Sequence, residues 1–188
     1  MIETEQTVTI GRGIEEVWAH VRDIERWANL MPGLRECRIV DADNSSWVLK
    51  IGAGGLVRTV HVNVHVGAWD GPERVAFTYD LDGDPVQGAG TYRARSLGPA
   101  ETEVTLQVQV IGSGQMAMMW EAMGKPLLPQ FARSFAQQLK AEIETAEVEA
   151  ARETMAQTAP RPSVLARLLR LIGKLFGRPA AIERKGMS

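Results

Sequence analysis

Between Thr59 and Trp69 the chain alternates without a break. Val60, Val62, Val64, Val66 and Ala68 share one face of an extended segment, and Thr59, His61, Asn63, His65 and Gly67 share the other. Successive side chains of a strand point to opposite faces, so this segment belongs to a sheet with one buried and one wet face, the habit of antiparallel sheets. Strands of the same kind are expected at 35–41, 46–52, 57–69, 73–81, 88–96 and 102–111. Turn-forming clusters separate them: Asp41-Ala42-Asp43-Asn44, Gly52-Ala53-Gly54-Gly55, Asp70-Gly71-Pro72, Asp82-Gly83-Asp84-Pro85 and Gly98-Pro99.

Ahead of this run, residues 2–10 alternate as a strand. Ile14, Val17, Trp18 and Val21 then share a helical face, and a second short helix covers Ile24–Leu30, ending before Pro32-Gly33. After Gly112 the period changes: Leu128, Phe131, Phe135, Leu139, Ile143 and Ala146 recur at helical spacing. A long helix must bury its apolar face, and the inner face of the sheet is the apolar face on offer. The expected architecture is α+β: a curved antiparallel sheet of about seven strands wrapped on a long C-terminal helix, an arrangement that leaves room for a cavity. The expected domains are a ligand-binding domain over 1–155, a Pro-containing linker over 156–163 and a basic amphipathic tail over 164–188.

The tail differs in charge from the rest. Residues 161–188 hold 7 Lys+Arg and 1 Asp+Glu, whereas the whole chain holds 21 and 23. Plotted as a helix, Leu165, Leu168, Leu169, Ile172, Leu175 and Phe176 form an apolar stripe, with Arg167, Arg170, Lys174 and Arg178 opposite. Ser163 suits the N-cap, and Gly177 before Pro179 suits the stop. A spanning helix needs about 20 apolar residues, so the tail is expected to lie reversibly on an anionic membrane surface. A groove on a partner protein, or docking on its own domain, are the other uses of such a helix. Nucleic acid is not expected, because the remaining 160 residues are acidic.

About 150 residues suffice for one domain with a real core. The acidic start, Met1-Ile2-Glu3-Thr4-Glu5, lacks the apolar region of a secretory signal, and a lone Cys37 allows no internal disulfide. The expected location is the cytoplasm, peripheral on the inner face of the cytoplasmic membrane. No Cys/His cluster has zinc spacing, and no metal is expected. His61 and His65 share a strand face, but four residues place them about 13 Å apart, too far to share an ion. Asp23 reads as the cap of the second helix. Gly52-Ala53-Gly54-Gly55 joins two strands rather than opening a helix, so it is not a phosphate cradle.

Three stretches carry a family resemblance. They are Val17-Trp18 with Asp23-Ile24-Glu25 and Leu30-Met31-Pro32-Gly33; Gly88-Ala89-Gly90; and Val110-Ile111-Gly112 followed by Met123-Gly124 and a helix bearing Phe131 and Phe135. With the order of elements, they resemble the helix-grip proteins of the START-like (polyketide cyclase, Bet v 1-like) superfamily, and within it the CoxG family of carbon monoxide dehydrogenase accessory proteins. The resemblance implies an accessory role beside a molybdenum hydroxylase of the carbon monoxide dehydrogenase type, recruitment of that enzyme to the membrane, and binding of apolar ligands, including quinones. No covalently held cofactor is implied.

In such a fold Trp27, Met31, Met116, Met119, Trp120 and Met123 bracket the mouth of the cavity. Met adapts to irregular apolar partners. Val60, Val62, Val64, Phe77 and Tyr79 face inward from the sheet, and Leu127, Phe131 and Phe135 from the helix. Tyr79 is the expected polar handle, since a buried hydroxyl needs a partner. No nucleophile–base pair can be read from spacing, so a lipophile-binding protein is expected rather than an enzyme. Two alternatives remain at this level: a membrane-recruitment adaptor or maturation factor that carries nothing, and an enzyme of the cyclase kind.

Overall fold

A computed structural model describes the backbone of residues 1–53 and 56–158. The chain divides into two compact units, Met1–Val148 and Glu149–Ser188. The sheet and the cavity belong to the first. The expected tail helix, from Leu165 to Phe176, lies outside the described residues.

The order is β1 (Ile2–Ile10), α1 (Ile14–Val21), α2 (Ile24–Asn29), β2 (Leu34–Ile39), β3 (Asn44–Ala53), β4 (Leu56–Asp70), β5 (Arg74–Leu81), β6 (Val86–Gly98), β7 (Glu101–Gly112) and α3 (Ala117–Thr158). The strands form one seven-stranded sheet in the order β1-β7-β6-β5-β4-β3-β2, and every pairing is antiparallel. Strands β2 to β7 follow one another as hairpins. The first strand returns to the far edge beside β7, from Ile2 opposite Val110 to Ile10 opposite Thr102. α1 and α2 carry the chain from that edge to the other.

The alternation read in β4 is real: Val60, Val62, Val64 and Val66 are buried, while Thr59, His61, Asn63 and His65 are exposed. A bulge between Val66 and Ala68 bends the long strand. Asp23 caps α2, its carboxylate accepting from the backbone N–H of Glu25 at 3.1 Å and of Arg26 at 3.3 Å. Gly33 has φ +82°, and a Cβ there would stand 2.3 Å from the Lys50 carbonyl oxygen, so the Pro32-Gly33 turn demands glycine.

The end of the first unit near α1 is solidly filled. Ile10, Val17 and Val104 are completely buried, and buried Thr102 donates its hydroxyl to the Arg12 carbonyl at 2.8 Å. α3 is tied there to the end of β1. Gly11 N–H donates to Glu144 at 2.8 Å, and the Lys140 ammonium donates to the Thr9 carbonyl at 2.7 Å. α3 continues to Thr158, so positions 156–158 of the expected linker are helical. Ala156 and Gln157 tolerate a helix.

Candidate ligand-binding cavity

Between the concave face of the sheet and α3 lies a cavity of about 220 Å³. Each strand from β3 to β7 contributes its inward row: Trp47, Leu49 and Ile51; Val60, Val62 and Val64; Val75, Phe77, Tyr79 and Leu81; Val86 and Tyr92; Leu106, Val108 and Val110. Val21, Trp27 and Met31 close one side, and Trp120, Met123, Leu127, Phe131 and Phe135 cover it from α3. Among the described residues, no Asp, Glu, Lys, Arg or His lines it.

Two glycines give the wall its shape. A Cβ on Gly88 would stand 2.3 Å from the ring of Tyr79, and one on Gly90 would stand 2.2 Å from the ring of Phe77. Glycine at both positions lets two aromatic rings of β5 reach over β6. Trp27 then packs on this layer, with ring centroids 5.6 Å from Phe77 and 5.4 Å from Trp47. The Gly88-Ala89-Gly90 stretch therefore seats the Phe77 and Tyr79 rings, which line the cavity.

Twelve of the expected lining residues line it: Trp27, Met31, Val60, Val62, Val64, Phe77, Tyr79, Trp120, Met123, Leu127, Phe131 and Phe135. Met119 does not: it is 43% exposed, and its neighbour Met118 is 84% exposed. The reason is helical phase. At about 100° per residue, Met119 falls roughly 130° from the centre of the stripe that faces the sheet. The Met116 side chain lies outside the described residues. Sequence reasoning misses Tyr92, Trp47 and Leu106 although a signal is present, since Gly88, Gly90, Tyr92 and Ala94 alternate on one face just as the β4 valines do.

The polar atoms on the lining side chains are few. The Tyr79 hydroxyl, the expected polar handle, donates to the Gln109 carbonyl at 2.8 Å. The Trp47 indole N–H donates to the Ser45 hydroxyl at 3.0 Å. The Trp27 and Trp120 indole nitrogens and the Tyr92 hydroxyl are buried without a partner among the described residues. Burial pushes the Tyr79 and Tyr92 phenols above their ordinary range, so both stay neutral hydrogen-bond donors.

Trp120 is held from outside. The Arg58 guanidinium lies 5.1 Å from its ring centroid and pairs with Asp84 at 2.8 Å. Ser113, just before α3, donates its backbone N–H to the Pro85 carbonyl at 2.8 Å. Far from the cavity, on the wet face of the sheet, exposed His65 shares a hydrogen bond with Asn44 at 2.9 Å. Among the described residues no group of His, Cys, Asp and Glu is placed to hold a metal ion. Nor does any described helix have the length and apolarity to cross a membrane.

A seven-stranded sheet closed on a long helix, with an uncharged cavity between them, defines a START-like helix-grip domain of the kind that encloses small molecules. The chain belongs to the polyketide cyclase / dehydrase and lipid transport family, whose family model matches residues 1–144. Among solved structures, a conserved protein from Geobacillus kaustophilus superposes with a TM-score of 0.67 at 16% identity, over 77% of this chain and 97% of that one. A START superfamily protein from Mycobacterium smegmatis gives 0.56 at 15% identity, over 77% and 98%. The Zhui aromatase/cyclase from Streptomyces sp. R1128 gives 0.55 at 17% identity, over 76% and 93%. At these identities the likeness is one of fold. None of the curated proteins matches this sequence.

Proposed function

We propose that this protein binds a neutral lipophilic molecule and catalyses nothing. The observation that carries the reading is the cavity itself: about 220 Å³, with no charged side chain among the described residues that line it. A cyclase or hydrolase needs acids, bases or nucleophiles converging on its substrate, and here the lining supplies two phenols and three indoles. A pure adaptor needs no cavity at all. A quinone is the ligand we favour, on the strength of the resemblance to the CoxG family, and a molybdenum hydroxylase of the carbon monoxide dehydrogenase type is the partner it would serve.

The membrane part of the proposal rests on the sequence of 164–188. Six large apolar residues on one face and basic residues on the other suit reversible binding to the anionic inner face of the cytoplasmic membrane. A carrier must meet the bilayer to load a lipid, and a tail of this kind brings it there.

Native mass spectrometry of full-length protein purified from membranes tests the ligand. A stoichiometric neutral adduct supports the carrier, and a clean ligand-free mass from protein that still binds vesicles favours the adaptor. Deletion of residues 161–188 is expected to abolish cosedimentation with vesicles containing phosphatidylglycerol, and unchanged cosedimentation would sink the membrane part.

A further inference from the structure

The cavity wall on the sheet side is built of aromatic rings, and several of them are held from behind. Tyr79 stands over Gly88, and its hydroxyl is tied to the Gln109 carbonyl at 2.8 Å. Phe77 stands over Gly90, with the Trp27 ring centroid 5.6 Å away. Trp27 in turn meets Trp47 at 5.4 Å, and the Trp47 indole is tied to the Ser45 hydroxyl at 3.0 Å. Trp27, Trp47 and Tyr92 are all buried. Close-packed rings fixed in this way do not move apart for a larger guest without straining their neighbours. The α3 side is looser: Met123, Leu128, Phe131 and Phe135 line the cavity and are only half-buried.

Against that firm wall the volume is a limit as well as a space. The cavity measures about 220 Å³. An apolar cavity of about 150 Å³ takes up benzene, whereas pockets for drug-sized ligands run from about 300 to 1,000 Å³. Scaling from benzene gives room for about 9 heavy atoms, and for about 12 where the half-buried side chains of α3 turn aside. A two-chain membrane lipid or a polyprenyl chain exceeds that several-fold.

We propose that the cavity is a size filter: it encloses a neutral lipophile of about 9–12 heavy atoms, a one- or two-ring compound or a short chain, and only one end of anything longer. This rests on the lipophile-binding reading above and adds the dimension of the ligand. The rings on the sheet hold the limit in place, and trimming α3 moves it.

The test is calorimetric titration of the full-length protein with the straight-chain primary alcohols from 1-hexanol to 1-tetradecanol. The hydroxyl is common to the series, so its cost cancels and each step reports one added CH₂. A CH₂ taken into the cavity is expected to tighten binding about 4-fold. These steps should hold up to 1-octanol and shrink below about 1.5-fold beyond 1-undecanol, where the added carbon no longer leaves water for the cavity. Phe131→Ala removes a ring from the α3 side and should move the break to chains longer by about 3–6 carbons, the smaller figure applying where the helix relaxes into the space. Leu128→Ala should move it by about 1–3 carbons and serves if Phe131→Ala folds poorly. Val62→Trp, which fills the cavity from β4, should abolish the rising steps. Steps that continue unbroken to 1-tetradecanol, or a break that stays in place in both α3 variants, overturn the filter and leave the lipophile-binding reading standing. If no alcohol binds, or if folded Val62→Trp binds the series as the parent does, the lipophile-binding reading itself falls and takes the filter with it.

Discussion

Gly90 shows how closely the cavity is drawn. Its missing Cβ is what lets the Phe77 ring lie against β6, with the Cβ position 2.2 Å from Cζ. Gly90→Ala must push that ring into the cavity, and overpacking of this kind costs about 1–3 kcal/mol. Urea unfolding should show the loss, and lipophile affinity should fall with it. Gly83, which has nothing within 4 Å of its Cβ position but a φ of +76°, is the control that separates backbone strain from crowding.

The buried phenols set a pH dependence. Their folded pKa values lie above the ordinary value of about 10, because burial disfavours the phenolate. The stability they support is therefore whole below about pH 10 and is lost as pH rises further, by up to about 1.4 kcal/mol per unit for each tyrosine. Denaturant melts between pH 8 and 11 should fall steeply above pH 10, and Tyr79→Phe should flatten that fall. Tyr79 is legible in the sequence as a buried hydroxyl, but not that the Gln109 carbonyl accepts from it, since that contact depends on register across two strands. Tyr92 is hidden by its small neighbours: an alternation of glycines reads as turn-rich until the sheet is seen to lean on it.

Among the elements, α3 is held unevenly. Its 140–144 stretch is bonded to Gly11, Arg12 and the Thr9 carbonyl. Its first turns rest on the stack of Arg58 on Trp120, the ion pair of Arg58 with Asp84 and the pairing of the Met1 ammonium with Glu121 at 2.6 Å. Between the two parts, Pro126 and Pro129 sit inside the helix and cannot donate to the carbonyls one turn back. Opening of the 117–125 stretch, which carries Trp120 and Met123, would expose the cavity. A partly exposed cation–π contact contributes about 0.5–1 kcal/mol, so Arg58→Met should raise hydrogen exchange of those amides about 2–5-fold, with the 136–144 amides unchanged. Equal acceleration of both stretches would contradict this division of the helix. The strands are legible to within two residues of most of their ends, because alternation and turn chemistry agree at each boundary. The exposure of Met119 is not, because a methionine cluster reads as apolar whatever its phase, and the phase is set by where α3 begins at Ala117.

At the scale of the whole molecule, the fold follows from one requirement: a sheet apolar on one face and a helix apolar on one stripe must cover each other. β1 returning beside β7 lets the chain close the sheet on α3 from both edges. The packing of sheet on helix can be argued from periodicity alone, whereas the return of β1 beside β7 comes from the structure. The cavity's lining is largely foreseeable for the same reason, since inward-facing residues are core and lining at once. What periodicity does not separate is filled core from open space, because that depends on whether Trp27, Tyr79 and Phe77 stack over Gly88 and Gly90 or reach across to α3.

The central claim is that this space takes up a neutral lipophile. Solvent extraction of the full-length protein purified from membranes, beside a Val62→Trp variant whose indole occupies the cavity, tests it most directly. One equivalent of a neutral lipid per chain from the parent, and almost none from the folded variant, is the predicted result. Equal amounts from both, or none from the parent even after incubation with lipid vesicles, would contradict it.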